Sequence, residues 1–359
     1  MKVLILSVAD KRHMSMVAPY EDYLISNNIY YDIIRVNRYD TKDITKQKMK
    51  NGVIFEYPFY QSTSVHKLRK IFRFINFRNF AKKLIYKNNY DFIIVWNENT
   101  AVLFADVLLH SYKNKYCVNV RDAFEIKMLN GLFEKVINNA YFSTTPSPVK
   151  EKNEPYITLF NRDTRILEHV EKKKSLKSRN DVLRITFMGL YNAAPKTFQT
   201  IVEIFANDNR FELHFYGDEF ETKLQEYVDS RGITNVITGG SFPYEKTYEY
   251  LSNTDILNSY YNNFSINQNL RNVSGVKQSY TPMLYLPAIN DDNTTWAKIC
   301  KTYGFSYLVN DENLSSLPND LYNWYHDLNF EVFKKGCDEF NKLVEDSRKQ
   351  IFELLGKIK

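Results

Sequence analysis

The residues best suited to chemistry sit at the ends of apolar runs. Ser274 and Gly275 precede the helical pattern Val276–Leu286, and Lys277 falls in its first turn. A helix start offers unpaired backbone N–H groups, and a lysine beside them adds a full charge. Together they suit a phosphate or diphosphate. Gly189 follows the apolar run Leu183–Met188, where the missing side chain lets a phosphate or second substrate approach the backbone. Acid–base candidates are fewer. Asp10 and His13 share the polar loop Val8–Ser15; His13 reads as a catalytic base or substrate-binding group, or as a surface histidine. Glu98 follows the run Asp91–Trp96, and Arg121–Asp122 follows Tyr116–Val120. Asp122 is a candidate catalytic group or the cap of the next helix. His214 alternates within a strand pattern and reads as a satisfied core histidine. Asp218–Glu219 and Asp291–Asp292 read as turns, and Tyr260–Tyr261 as a stacking surface or plain packing. No metal-ligand spacing is visible, so no metal is expected.

Alternating elements must position these groups. Lys2–Ser7 reads as a strand, Val17–Asn27 as a helix, and Tyr31–Val36, Asp91–Trp96 and Tyr116–Val120 as further strands. Helical patterns at Thr100–Ser111 and Phe133–Asn139 fall between them, and Tyr141–Pro146 closes the series. The alternation restarts at Leu183 and runs through strands Phe211–Gly217, Val236–Gly239, Asp255–Asn258, Ala288–Asn290 and Phe305–Val309. Hairpin signals are few. The pattern predicts α/β architecture with two Rossmann-like, doubly wound domains facing a cleft. The expected boundaries are residues 1–167, a linker at 168–182 containing the solvated run Lys172–Arg179, 183–330, and a charged C-terminal helix at 331–359 that packs back on the first domain or is free for a partner. In such sheets ligands bind outside the carboxyl ends of strands.

Composition narrows the class. The chain has 359 residues, 44% hydrophobic and 25% charged, enough for about two domains. Cys117, Cys300 and Cys337 are widely spaced, which argues against a disulfide framework and for a reducing compartment. The apolar run Val3–Val8, broken by Ser7, is too short for a signal peptide or membrane helix, so a cytoplasmic location is expected. Net charge is +6, unevenly spread: no acidic residue occurs between Pro58 and Tyr90. Lys67, Arg69, Lys70 and Arg73 lead that stretch, with Phe72, Phe74, Phe77 and Phe80 among them. As a helix it suits an anionic membrane surface. It equally suits a core-facing helix with a solvated basic face. A nucleic-acid groove fits less well, since no helix-turn-helix, RNP or zinc-finger pattern accompanies it.

Several segments resemble the GT-B glycosyltransferases, family 4 or "group 1" in particular. They are RITFMGLYNAAPKTFQTIVEIF, FELHFYGDEFE, ITGGSFPYEKTYEYLSNTDILNSYY and VSGVKQSYTPMLYLPAI, preceded by YFSTTPSPVKE and YITLFNRD. In order and spacing they are similar to the family's strand–Gly–loop–helix, its "xFYGxG", and the segments that follow. The resemblance implies an acceptor-binding first domain and a second domain that binds a nucleotide sugar, UDP- or GDP-linked. It implies a retaining, metal-independent hexosyl transfer to a glycan or polyprenyl-diphosphate-linked acceptor in bacterial surface polysaccharide synthesis, with no resident cofactor and no nucleic-acid partner. It places Gly189, Lys196, Asn272, Gly275, Lys277 and Tyr280 at the donor, Asp10, Glu98 and Arg121 on the acceptor side, and Asp122 and His13 at the reacting centre. Relatives carry an acid where this chain has Tyr280. That departure leaves open a non-catalytic relative acting as partner or stabiliser of another transferase. A nucleotide-sugar epimerase is a third option, but it needs cleft carboxylates and a histidine that these loops scarcely supply.

Overall fold

The computed structural model describes residues 1–11, 14, 17–38, 43–59, 67–121, 126–146, 156–261, 275–310 and 312–358. The chain forms two compact units: residues 1–160 with 346–359, and residues 161–345. The boundary falls at 160/161 rather than after 167.

In the first unit the elements run β1 (Lys2–Ser7), α1 (Ala18–Ser26), β2 (Tyr30–Asn37), β3 (Thr45–Met49), β4 (Gly52–Pro58), α2 (Lys67–Asn88), β5 (Phe92–Trp96), α3 (Glu98–Leu103), α4 (Ala105–His110), β6 (Tyr116–Asn119), α5 (Asn130–Asn138), β7 (Phe142–Thr145) and β8 (Tyr156–Thr158). The sheet order is β3-β4-β2-β1-β5-β6-β7-β8. Every pairing is parallel except β3 with β4. The central strands are buried on both faces and so read as continuous apolar runs. The β3–β4 hairpin is absent from the sequence reading. Its register, Met49 opposite Gly52, leaves Lys50 and Asn51 as the turn. A Cβ on Gly52 would lie 1.6 Å from the Tyr31 carbonyl oxygen, so only glycine admits this approach of β4 to β2.

The end of the chain belongs to this unit. Phe352 packs on Tyr23 at 5.2 Å, Arg348 pairs with Asp22 at 2.5 Å, and Ile351 and Leu355 are buried.

The second unit runs β9 (Leu183–Leu190), α6 (Pro195–Ile204), β10 (Phe211–Asp218), α7 (Gln225–Arg231), β11 (Val236–Gly239), α8 (Thr247–Leu251), β12 (Ile256–Ser259), α9 (Val276–Leu284), β13 (Ala288–Asp291), α10 (Thr295–Tyr303), β14 (Ser306–Val309), α11 (Leu317–Asp327) and the first part of α12 (Phe330–Gly356), which from Asp346 onward belongs to the first unit. Its sheet is wholly parallel, ordered β11-β10-β9-β12-β13-β14. Numbered from β9, that is 3-2-1-4-5-6, the doubly wound Rossmann order. Both units therefore have the predicted fold class. One expectation about the link is corrected. Lys173 and Lys177 are not a solvated run: each places its ammonium 2.7 Å from the buried Asp255 carboxylate. Residue 173 also donates its backbone N–H to Leu284 O at 2.8 Å. The segment is pinned along the second unit by charge and main chain.

Candidate functional site

In a doubly wound sheet the strand order reverses at one point, and adjacent connections there leave for opposite faces. In the second unit that point lies between β9 and β12. β9 ends in Phe187-Met188-Gly189-Leu190, and β12 runs out into Tyr260 and Tyr261. Tyr261 is held from both sides. Its N–H donates to Asp291 Oδ2 at 3.1 Å, at the end of β13. Its carbonyl accepts from Thr197 Oγ1 at 2.7 Å, in the first turn of α6. The side chain of Lys277, from the first turn of α9, crosses to this pair. Its Nζ donates to the Tyr261 hydroxyl and lies 3.7 Å from the Phe187 ring centroid and 4.5 Å from that of Tyr261. A Cβ on Gly189 would lie 3.5 Å from the same nitrogen.

Desolvation governs this lysine. The residue as a whole is half-buried, but its amine end is enclosed by aromatic faces, and burial pushes the Lys277 pKa down to about 7. The two ring faces supply cation–π attraction that offsets part of that loss. The result is a partly protonated amine at a topological switch point. It lies near the starts of α6 and α9, where backbone N–H groups favour an anion.

The glycines make the close geometry possible. Gly217 of β10 pairs with Gly189 of β9. A Cβ on Gly217, at φ +134°, would lie 1.8 Å from Gly189 O. Beyond these strand ends Leu190, Asn192, Asp218, Glu219 and Ser241 line a groove of about 430 Å³. Glu219 adopts a left-handed φ of 67° there, consistent with a turn.

The first unit has a matching switch point, between β1 and β5. Asn97 Oδ1 caps α3 by accepting from Thr100 N at 2.9 Å, and Thr100 Oγ1 accepts from Val8 N at 3.0 Å. The two strand ends are thereby tied together. Asp10 and Glu98 are buried beside them, 2% and 4% exposed. Glu98 Oε2 accepts the backbone N–H of Arg121 at 3.2 Å, and the Arg121 guanidinium lies 5.2 Å from the Trp96 ring. Arg38, after β2, donates to Val8 O at 3.2 Å.

Comparison with solved structures bears on this geometry. A sucrose-phosphate synthase from Thermosynechococcus elongatus matches with TM-score 0.70 and 12% identity over 100% of this chain and 99% of that one. A trehalose-6-phosphate protein from E. coli bound with UDP-2-fluoro glucose matches at 0.67 and 7%, again over 100% and 99%. A lipopolysaccharide outer core galactosyltransferase in its apo form matches at 0.62 and 14%, over 99% of each chain. The chain has the GT-B fold. No family model matches the sequence, and no curated protein matches it.

Within this GT-B chain the expected site residues divide. Gly189 and Lys277 come together. Gly275 caps α9, but its N–H is already taken by Gln278 Oε1 at 2.8 Å, leaving it spacing rather than a free donor. Lys196 is exposed on the first turn of α6. Tyr280 is 2% exposed and belongs to a buried cluster with Met188, Leu257, Met283 and Leu284. Glu98 and Arg121 meet in the first unit, and Asp10 is buried after β1. His13, Asp122 and Asn272 lie outside the described residues, as do the side chains of Lys67, Arg69 and Lys70. Arg73 is half-buried on α2. Asp291 is corrected from a turn residue: it ends β13, buried, and anchors Tyr261. Phe187 and Tyr261 form the lysine's cage, yet neither carries a spacing signal, because the contact joins strand ends far apart in sequence. His214 is satisfied as expected, with Nδ1 2.7 Å from the Tyr216 hydroxyl and Nε2 2.7 Å from Glu212 Oε2. Among the described residues no group of three His, Cys, Asp or Glu could hold a metal ion.

Proposed function

We propose that this chain is a nucleotide-sugar-dependent glycosyltransferase whose second unit holds the donor diphosphate against Lys277. The observation that carries the reading is the Lys277 amine at the β9/β12 switch point, beside two helix starts and a glycine that admits close approach. The similar structure bound with UDP-2-fluoro glucose supports a nucleotide-sugar donor. The bond from the anomeric carbon to the diphosphate oxygen breaks as the acceptor oxygen bonds to that carbon. The acceptor proton passes to a donor phosphate oxygen. Protonated Lys277 and the N–H groups of α6 and α9 balance the charge left on the diphosphate, without a metal ion.

The finer reading is a retaining hexosyl transfer from a UDP- or GDP-linked donor to a glycan or polyprenyl-diphosphate-linked acceptor, in the cytoplasm, for a surface polysaccharide. Asp10, Glu98 and Arg121 form the acceptor side of this reading, and Lys196 is a further donor contact. A thermal-shift series with UDP, GDP, CMP and their sugar conjugates tests it, because a ligand bound to the folded state alone raises Tm. A rise with one nucleotide that is absent in Lys277→Met supports the donor site; no rise with any of them overturns it.

A second reading has its own observation. Tyr280 stands where the resemblance places an acid, and it is buried in the core. That favours a non-catalytic relative that stabilises another transferase. Absence of nucleotide binding together with stable co-purification of a second chain is the result that selects it.

A further inference from the structure

Helix α2 carries two apolar faces where a surface helix normally carries one. The inner stripe, Phe74, Phe77, Ala81 and Ile85, recurs at intervals of three and four residues. Phe77, Ala81 and Ile85 are buried, and Phe77 packs against Tyr57 at 5.9 Å and Phe104 at 6.0 Å. The outer stripe, Phe72, Ile75, Asn79, Lys83 and Tyr86, has the same spacing on the opposite side. Its large apolar members are open: Phe72 is 63% exposed, Ile75 42% and Tyr86 56%, with Ile71 beside them at 54%. Single exposed apolar residues are ordinary on a protein surface, but four on one helix face mark a contact.

Charge identifies the partner. The helix has no acidic residue. Arg78 and Lys82 are spoken for by Asp106, each at 2.7 Å. Lys83 and Lys87 are exposed on the outer side and form no ion pair among the described residues. An apolar ridge flanked by unneutralised lysines matches the boundary between headgroups and acyl chains of an anionic bilayer, where rings insert and ammonium groups remain among phosphates. We infer that the outer face of α2, built from Ile71, Phe72, Ile75, Lys83, Tyr86 and Lys87, docks this chain on an anionic lipid surface. The inference rests on α2 alone and not on the nucleotide reading. It adds residues further along the helix to the expected set Lys67, Arg69, Lys70 and Arg73, of which the first three have side chains outside the described residues.

Vesicle flotation with the full chain tests it, using phosphatidylcholine alone and phosphatidylcholine with phosphatidylglycerol. Binding to the anionic vesicles, weakened by salt and weaker on the neutral ones, is expected. The pair Phe72→Ser and Ile75→Ser removes the ridge; the pair Lys83→Glu and Lys87→Glu reverses the charge. Each is expected to lower partitioning about tenfold or more, with an unchanged circular-dichroism melt because the replaced side chains are exposed. No binding to anionic vesicles overturns the proposal. So does equal binding to neutral ones, binding that neither pair alters, or loss of vesicle binding when a polynucleotide competes. The nucleotide thermal shift, read on the same variants, separates failure of this inference from failure of the donor reading.

Discussion

The Lys277 amine lies 3.7 Å from the centroid of Phe187, a residue ninety positions earlier at the end of the strand where its sheet begins. The distance joins a charge to an aromatic face at the point where the sheet order reverses. Phe187 is buried and cannot yield, so the lysine's environment is set by the packing of β9. A ligand phosphate arriving there replaces ring faces with full negative charge. Replacement of Lys277 by Met keeps the stem's bulk and removes that interaction. The expected effect is a loss of about 1.5–3 kcal/mol in nucleotide-sugar affinity, the scale of a hydrogen bond to a charged group, measured by titration calorimetry. Unchanged affinity removes Lys277 from the donor site.

The lowered pKa makes two pH effects follow with a definite sign. Folding moves this amine from 10.5 to about 7. Below pH 7 both states carry the proton, and the folded state bears the whole desolvation cost. Between pH 7 and 10.5 the unfolded chain binds more protons at this site, so its contribution to stability rises with pH. Lys277→Met should flatten that rise in the difference between the two melting curves. Binding has the opposite slope. A diphosphate favours the ammonium, so above pH 7 the complex must take up a proton and affinity for a nucleotide sugar falls. Calorimetry in buffers of different ionisation enthalpy reads the uptake directly; a pH-independent affinity from 6 to 9 refutes it.

How far the sequence revealed this site depends on which distances are local. Val236–Gly239 and Thr295–Tyr303 were readable to the residue, because strand and helix patterns are written within a few positions. Gly189 and Lys277 were readable as features of a strand end and a helix start. Their partners were not. Phe187 looks like one more apolar strand residue, and Tyr261 becomes the lysine's partner only through Asp291 and Thr197, which the strand order brings to it. The β3–β4 hairpin escaped notice for a related reason: Gly52 is needed by its neighbour β2, not by its own strand. Tyr280 is a different case: the resemblance sets it at the donor, while its 2% exposure and its cluster with Met188 and Leu257 are features of packing that a single sequence does not display.

Gly217 offers a test of the backbone that carries the site. A Cβ there would overlap Gly189 O at 1.8 Å, and the atom in the way is main chain, which cannot rotate aside. Gly217→Ala must spread β9 from β10 at the end where Lys277 lands. Overpacking of this kind costs about 1–3 kcal/mol. A lower Tm together with weaker nucleotide binding is expected. An unchanged Tm means the two strand ends are held less tightly than their register implies.

Asp255 gives an independent prediction about the link segment. Burial alone raises a carboxyl pKa, but the ammonium groups of Lys173 and Lys177, each at 2.7 Å, outweigh it and hold this one below its ordinary 3.8. The backbone N–H of Arg184 adds a hydrogen bond at 2.9 Å. A carboxylate with a depressed pKa contributes stability above the unfolded value that is lost as pH falls through the folded one. The window therefore lies below about pH 4. Asp255→Asn keeps the shape and removes the charge, leaving two lysines facing one another without their anion. Because both lysines are partly exposed, the cost should fall at the lower end for a broken buried pair, about 2–3 kcal/mol at pH 7. The variant should also show a shallower loss of Tm between pH 4 and 2.5. If limited proteolysis then cuts between residues 172 and 180 in the variant and not in the parent, the pinning is electrostatic. Equal cutting in both assigns it to the backbone contacts instead.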